Sequence, residues 1–214
     1  MSVQALLGIN FKTEVQKTLG GSKTITAITK ANPGVVTSAA HGLSNGAVVV
    51  LAVAGMVQLN NVAARIAAVA TNTFELEGID TTNFTDFSSG TAKEVTAWDT
   101  IGWATNLNMS GGSPKEIDVT TLDDRALQSV YGLSSAGSGT IEGFDQVADV
   151  GMLNLRAASD TQTTRAFRLS YASGQKRIFN ANVSAGGGFS LAVNDAGKMS
   201  VAVTVRGRIN EYAT

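Results

Sequence analysis

The segment Lys198–Arg208, KMSVAVTVRGR, sets Met199, Val201, Val203 and Val205 to one side and Ser200, Ala202, Thr204 and Arg206 to the other. Alternation with a period of two puts successive side chains on opposite faces of an extended strand. Burying four such apolar side chains is worth about 1.5–3 kcal/mol each. That sum rivals the roughly 5–15 kcal/mol net stability of a whole domain. The chain is therefore expected to be organised around a sheet, with this strand in its core.

Composition agrees with a β protein. Of 214 residues, 43% are hydrophobic and 15% charged, enough apolar material for a sizeable core. Glycine is abundant and proline rare, as in chains with many tight turns. There is no cysteine, which excludes disulfides and thiolate metal sites. The first residues, MSVQALLGINFKTE, carry no basic n-region and predict no secretory signal. The most apolar run, Ala47–Ala54, is far shorter than a membrane span. A soluble protein made in a cytoplasm is expected.

The net charge is −1, with an uneven distribution. Residues 94–149 hold nine acids and two bases, whereas 156–208 hold eight bases and two acids. Either the two blocks neutralise each other inside one domain, or the acidic block of one copy meets the basic block of the next. A general nucleic-acid binder would carry a net basic surface, and this chain does not.

Along the chain, residues 8–17 read as a first strand closed by Gly20-Gly21-Ser22. Between Lys23 and Lys93 come short strands at Thr24–Thr29, Val35–Ser38, Ala47–Val53, Val62–Val69 and Thr73–Glu77, with turn signals between them such as Asn32-Pro33-Gly34. Phe74, Phe84 and Phe87 are candidates for the core of this block. Gly and Ser flank both its ends, as expected of a small β-barrel or sandwich inserted into a host domain. The host resumes at Glu94, with strands at Val95–Trp98, Gly102–Met109, Glu116–Thr121 and Thr140–Phe144. Asp123–Gly139 reads as an extended loop. A helix is expected over 145–158, capped by Asp145, with Val147, Val150, Leu153 and Ala157 on its apolar stripe. Strands at Arg165–Tyr171, Arg177–Val183 and Phe189–Val193 precede the final one.

No motif nominates an enzyme. His41 is the single histidine, and its place before Gly42 suits a turn. Asp123-Asp124 is weak as a cation site because adjacent acids are common in solvated loops. Gly197-Lys198 is followed by Met199, and Gly186–Gly188 has no lysine after it, so neither makes a phosphate loop. Asn83, Asn108 and Asn182 begin glycosylation sequons that should stay bare without secretion.

Residues 94–208 resemble the tail tube (major tail) proteins of long-tailed, non-contractile bacteriophages. The resemblance is carried by Trp98–Ile101 (WDTI), Lys115–Asp124 (KEIDVTTLDD), Tyr131-Gly132-Leu133, Gly139–Gly143 (GTIEG), the helix and the closing strands. Residues 24–92 resemble a small β module of phage structural proteins, one named after the first catalytic cysteine half-domain of ubiquitin-activating enzymes. That likeness rests on Ile25–Thr29, Asn32–Ser38, Ala40–Gly46 (AHGLSNG), Leu59–Asn60 and Thr73–Leu76 (TFEL). Without cysteine, no ubiquitin chemistry is expected of it.

These resemblances imply a mainly β subunit: a tail-tube β-sandwich with one helix, contributing strands to a shared hexameric β-barrel. Residues 1–22 would be the N-terminal arm and first strand, 23–93 an inserted module on the tube exterior, and 94–214 the tube domain. Six copies would form a ring, and stacked rings a hollow tube. About twenty-four strands at ~4.8 Å spacing, tilted by about 40°, give a backbone diameter of roughly 48 Å, wide enough for duplex DNA. The implied partners are the protein itself, a tape measure protein, and terminator and tip proteins. DNA would pass without specific binding, with no membrane, cofactor or enzymatic step, in a virion assembled in a bacterial cytoplasm. On this reading Glu116, Asp118 and Thr120, opposite Ile117 and Val119, are lumen candidates. Asp123, Asp124, Arg125, Tyr131, Arg206 and Arg208 are interface candidates, and the 123–139 loop would reach the next ring. The rival reading is a stand-alone β-rich adhesin or receptor-binding component of a phage tail.

Overall fold

The computed structural model describes residues 11–123, 125–186, 188–193 and 195–213. It is mainly β, as the sequence predicts. The N-terminal half contains β1 (Lys12–Leu19), β2 (Lys23–Ile25), β3 (Ala27–Ile28), β4 (Val35–Thr37), β5 (Val48–Ala54), β6 (Ala63–Ala67), β7 (Thr73–Leu76) and β8 (Ser89–Thr100). Next come β9 (Ala104–Ser110), β10 (Pro114–Asp118), β11 (Ser129–Ser134), β12 (Ser138–Phe144) and the helix α1 (Val150–Asp160). The chain closes with β13 (Arg165–Ser170), β14 (Lys176–Ser184), β15 (Phe189–Ser190) and β16 (Lys198–Tyr212).

One long curled sheet runs β3-β4-β7-β6-β5-β8-β1-β13-β14-β16-β12-β9, with β2 on β8 and β15 on β16. Its concave side around β1, β13, β14, β16, β12 and α1 holds the larger core, including Val15, Trp103, Ile141, Phe167, Phe179 and the four alternating residues of β16. Phe167 and Phe179 stack at 5.3 Å between ring centres. β12 lies so close to β9 that a side chain at Gly143 would collide with the carbonyl oxygen of Trp103. The GTIEG stretch is therefore a packing requirement.

A second core, with Val36, Leu51, Leu59, Ile66, Phe74 and Leu76 at its centre, fills the block before β8. Phe74 is fully buried there, while Phe84 and Phe87 pack only partly against it. His41 is buried too: Nδ1 accepts from the Leu43 N–H at 3.1 Å and Nε2 lies 3.3 Å from the Thr73 carbonyl oxygen. Its ring stands edge-on to Phe74, so the lone histidine shapes a turn.

The two cores are joined without a linker. β8 pairs with β5 over Ser89–Glu94 and with β1 over Val95–Thr100, so the 93/94 boundary falls inside one continuous strand. A third cluster of Val48, Ala63, Val95, Ala166, Ile178 and Tyr212 glues the small block onto the outer face of the main sheet. On the same seam, the Arg168 guanidinium stacks on Trp98 at 4.4 Å and donates to Glu14 at 2.7 Å. Burial would raise the Glu14 pKa, but hydrogen bonds from Arg168 and Lys12 outweigh it and hold the carboxyl below its ordinary value.

β16 reaches this seam by changing register. Gly207 has φ +73°, and a Cβ there would press on Val62 at 2.9 Å. The irregularity opposite Phe179 shifts the buried set from the odd positions 199–205 to Asn210 and Tyr212. Asn210 Nδ2 donates to the Ala63 carbonyl at 2.7 Å, and the Tyr212 hydroxyl accepts from the Arg65 N–H at 2.8 Å. Arg65 covers the Tyr212 ring at 4.7 Å and pairs with Glu77. Burial pushes the Tyr212 pKa up to about 12. Between the ordinary pKa of about 10 and that value, the unfolded state binds fewer protons, so stability falls as pH rises. Tyr212→Phe strands the Arg65 N–H and should cost about 1–2 kcal/mol. Urea melts at pH 7 and pH 11 should show the loss at pH 7, with a smaller alkaline decline than the parent.

Two expectations need correction. The helix starts at Val150, with Asp149 accepting from the Met152 N–H at 3.0 Å. Asp145 does not cap it: a turn at 147–148 separates it from the first helical residue, and its Oδ1 makes no hydrogen bond. The buried stripe is Gly151, Met152, Leu155 and Ala158, while Val147, Val150 and Leu153 are exposed. The 123–139 segment is also not one loop, since it contributes β11 and the first residues of β12.

Candidate assembly surfaces

β10 and β11 form a two-stranded sheet separate from the main one, a hairpin arm continuing β9 and returning into β12. Every described residue from Pro114 to Val130 is exposed. Ile117 lies opposite Val130, and Glu116 opposite Tyr131. Directly paired residues share a face, so an apolar face with Ile117, Val130 and Val119 backs onto a face with Glu116, Asp118 and Tyr131. At the tip, the Thr120 hydroxyl and N–H both donate to the Asp118 carboxylate, lowering its pKa. The Gln128 N–H donates to Thr120 Oγ1 at 2.9 Å. Thr120 is thus a turn staple.

The structure places all three lumen candidates on this arm, together with Asp123, Arg125 and Tyr131, all exposed. Asp124 lies outside the described residues. Arg206 and Arg208 are elsewhere, exposed on either side of the Gly207 bulge near the arm's root. With its amide oxygen turned towards Arg206, Asn182 accepts from the guanidinium at 3.0 and 3.2 Å.

The outer face of β9, β12, β16 and the end of β14 is a wide polar surface. Registers align Asn108, Thr140, Ala202 and Ser184 in one row, and Ser110, Ser138, Thr204 and Asn182 in the next. Asn106 faces Glu142, which accepts from its amide at 3.2 Å, and Ser200 follows on β16. Lys198, at the end of this face, is paired with Asp195 at 2.9 Å. The Ser200, Ala202 and Thr204 face is legible in the alternation of β16; the residues of β9 and β12 are not among the candidates, although ATNLNMS and SGTIEGF show the same alternation. β9 has no strand on its far side among the described residues.

Two apolar surfaces remain open. One is the α1 stripe of Val147, Val150 and Leu153. The other is a groove of about 680 Å³ between Thr105, Phe144, Phe189 and Met199, with Leu191 and Val193 exposed after β15. The two charge blocks do not pair with each other, although Asp99, Arg168, Arg177 and Lys198 find partners elsewhere. Among the described residues, none of the ion pairs joins an acid of 94–149 to a base of 156–208.

A sheet with one polar open face, an unpaired edge and a projecting hairpin defines a structural subunit of a β-walled assembly. The chain belongs to the phage tail tube protein family, whose model matches residues 54–214. It is therefore a virion tail component that self-assembles into a tube with other tail proteins. No curated protein matches the sequence.

Proposed function

We propose that six copies close into a ring and that rings stack into the hollow tube conducting DNA from capsid to host cell. The observation that carries this reading is the polar outer face of β9, β12, β16 and β14, the four strands each copy would give to the lumen wall. Ser, Thr and Asn cannot neutralise phosphates, and Glu142 repels them. Of the two cations on this face among the described residues, Lys198 is neutralised by Asp195, and the Arg206 guanidinium is held against the wall by the neutral Asn182 amide. Phosphate binding with counterion release is thereby kept weak, and DNA slides.

The inserted module, residues 23–93, sits on the exterior, because its seam covers the outer face of β1, β13 and β14 further round the curled sheet. Residues 11–22 supply β1 and the turn after it, and 94–214 the tube domain, with β8 shared; the N-terminal arm expected of the first residues falls on 1–10, outside the described residues. The hairpin arm takes the place of the expected loop as the element that reaches the next ring. Glu116 and Asp118 border the lumen at that junction. The charges of the two blocks that have no ion pair within the molecule meet between copies, which gives Arg206 and Arg208 acidic neighbours. Tape measure, terminator and tip proteins complete the tail, and assembly takes place in the host cytoplasm.

Negative-stain electron microscopy of the purified protein tests the reading: hollow tubes or six-fold rings are expected, and monomers or trimers without filaments would sink it. Glu142→Lys, alone or with Glu116→Lys and Asp118→Lys, should leave tubes intact and slow DNA ejection from phage carrying the variant. Unchanged ejection kinetics would show that these residues do not face the DNA.

A further inference from the structure

The chain has no cysteine, so no disulfide can fasten α1 to the sheet. A different set of side chains gathers at that joint from four elements: Lys17 of β1, Asp99 of β8, Asn154 of α1 and Arg165 of β13. Asn154 Nδ2 donates to the Gln16 carbonyl at 2.9 Å and to Asp99 Oδ2 at 3.0 Å. Its amide oxygen accepts from Arg165 Nε at 3.1 Å. Lys17 Nζ lies 3.1 Å from the other oxygen of Asp99. A lysine amine and a primary amide therefore sit on the two oxygens of a single carboxylate.

Local structure explains the meeting. Gln16 pairs with Trp98 and Thr18 with Ala97, which leaves Lys17 as the extra residue of a bulge. A bulge re-aims the side chains around it, here towards α1. Asp99 lies opposite Val15, and directly paired residues share a face. That face is the one α1 covers, since Val15 packs in the same core as Met152 and Leu155. The Asp99 side chain is 11% exposed, against 57% for Lys17. Arg165 is clamped by its own bonds to Thr163 Oγ1 at 2.8 Å and the Thr164 carbonyl at 3.2 Å. The Asn154 nitrogen faces acceptors and its oxygen a donor, which fixes the orientation of the amide.

We propose that Lys17 and Asn154 join in an isopeptide bond whose formation these residues carry out themselves. Asp99 takes a proton from the Lys17 ammonium, and the freed Nζ attacks Asn154 Cγ. Arg165 stabilises the negative charge that develops on Oδ1, and Asp99 passes its proton to Nδ2. The Cγ–Nδ2 bond breaks while the new Nζ–Cγ bond stays as a secondary amide. The second amine proton follows to the departing ammonia, which leaves as ammonium. No oxidant or co-reactant is needed. The four-carbon stem of lysine is flexible, and rotation about it carries Nζ from Asp99 over the amide carbon. Shielding of Asp99 assists the first step, because removal from water penalises the ion pair relative to the neutral amine and acid. The bond ties α1 to β1 and restrains the unfolded chain as a disulfide would. It lies within one subunit and stands independently of the ring and the tube.

Intact-mass spectrometry of the purified full-length chain, followed over several days of warm incubation, reads the reaction directly. The parent is expected to become lighter than its own sequence requires by one ammonia. Its tryptic digest should lack cleavage after Lys17 and contain the Lys17 and Asn154 peptides as one linked species. Lys17→Arg keeps the ion pair with Asp99 but lacks the attacking amine, and at an exposed side chain it spares the fold. Asp99→Asn keeps the shape without the base. Both variants should hold their full mass and melt below the aged parent. A parent that keeps its full mass throughout overturns the proposal, as does an ammonia loss that persists in Lys17→Arg or maps to another residue. Linked peptides that form as readily in Asp99→Asn overturn the mechanism.

Discussion

Val203→Asp is expected to yield no folded protein. Val203 is 1% exposed on β16, between Gly139 of β12 and Val183 of β14, in the largest core of the molecule. The substitution forfeits about 1.5–3 kcal/mol of apolar burial. It also places a carboxylate where no cation is available, at several kcal/mol more even after relaxation or protonation. Together these losses approach the roughly 5–15 kcal/mol that holds a typical domain together. Insoluble expression, or a soluble chain without a cooperative thermal transition, is the expected result. Thr204→Asp is the control. One step along the strand the side chain points to the opposite, exposed face, and that variant should fold with a melting temperature close to the parent's. A cooperative melt from Val203→Asp would mean that β16 is not the core strand described above.

Replacing residues 114–134 with a short glycine-containing turn should abolish tube growth and leave the subunit folded. The arm makes no strand pairs with the rest of the chain, so the main cores lose nothing when it goes. The cut ends already lie close: the Ser135 N–H donates to the Ser113 carbonyl at 2.9 Å. Circular dichroism should show an unchanged melt, while electron microscopy shows rings or monomers and no filaments. Normal tubes from this variant would remove the arm from assembly altogether.

The sheet was legible wherever one face is buried and the other wet, because burial then writes itself as alternation. β16, β5 and the short strands of the inserted block follow from this, as do the turns between them. β11 was invisible for the converse reason: in SVYGLS almost every residue is exposed, so no inside and outside are recorded in it. The helix start was misplaced because Asp145 satisfies the same cap rule as Asp149, whose side chain is the one that accepts from the Met152 N–H. Asp145 is tied to Gly197 by a tertiary bond, and a turn lies between it and Asp149; no local signal carries either. The far end of β16 was hidden by Gly207, whose bulge resets the parity beyond which Asn210 and Tyr212 turn inward. Of the surfaces, the polar face was written in β9 and β12 as plainly as in β16. The groove was not, since Phe144, Phe189 and Met199 are brought together only by strand pairing.

The uninterrupted run of β8 through both cores has a mechanical corollary. A module on a flexible tether would swing independently of its wall and blur in any averaged image of the tail. Here the same hydrogen-bonded ladder serves both bodies, and along β8 one passes into the other without a break. On the tube proposed above, the block before β8 should then repeat with the symmetry of the tube itself and appear as sharply as the rest of the subunit.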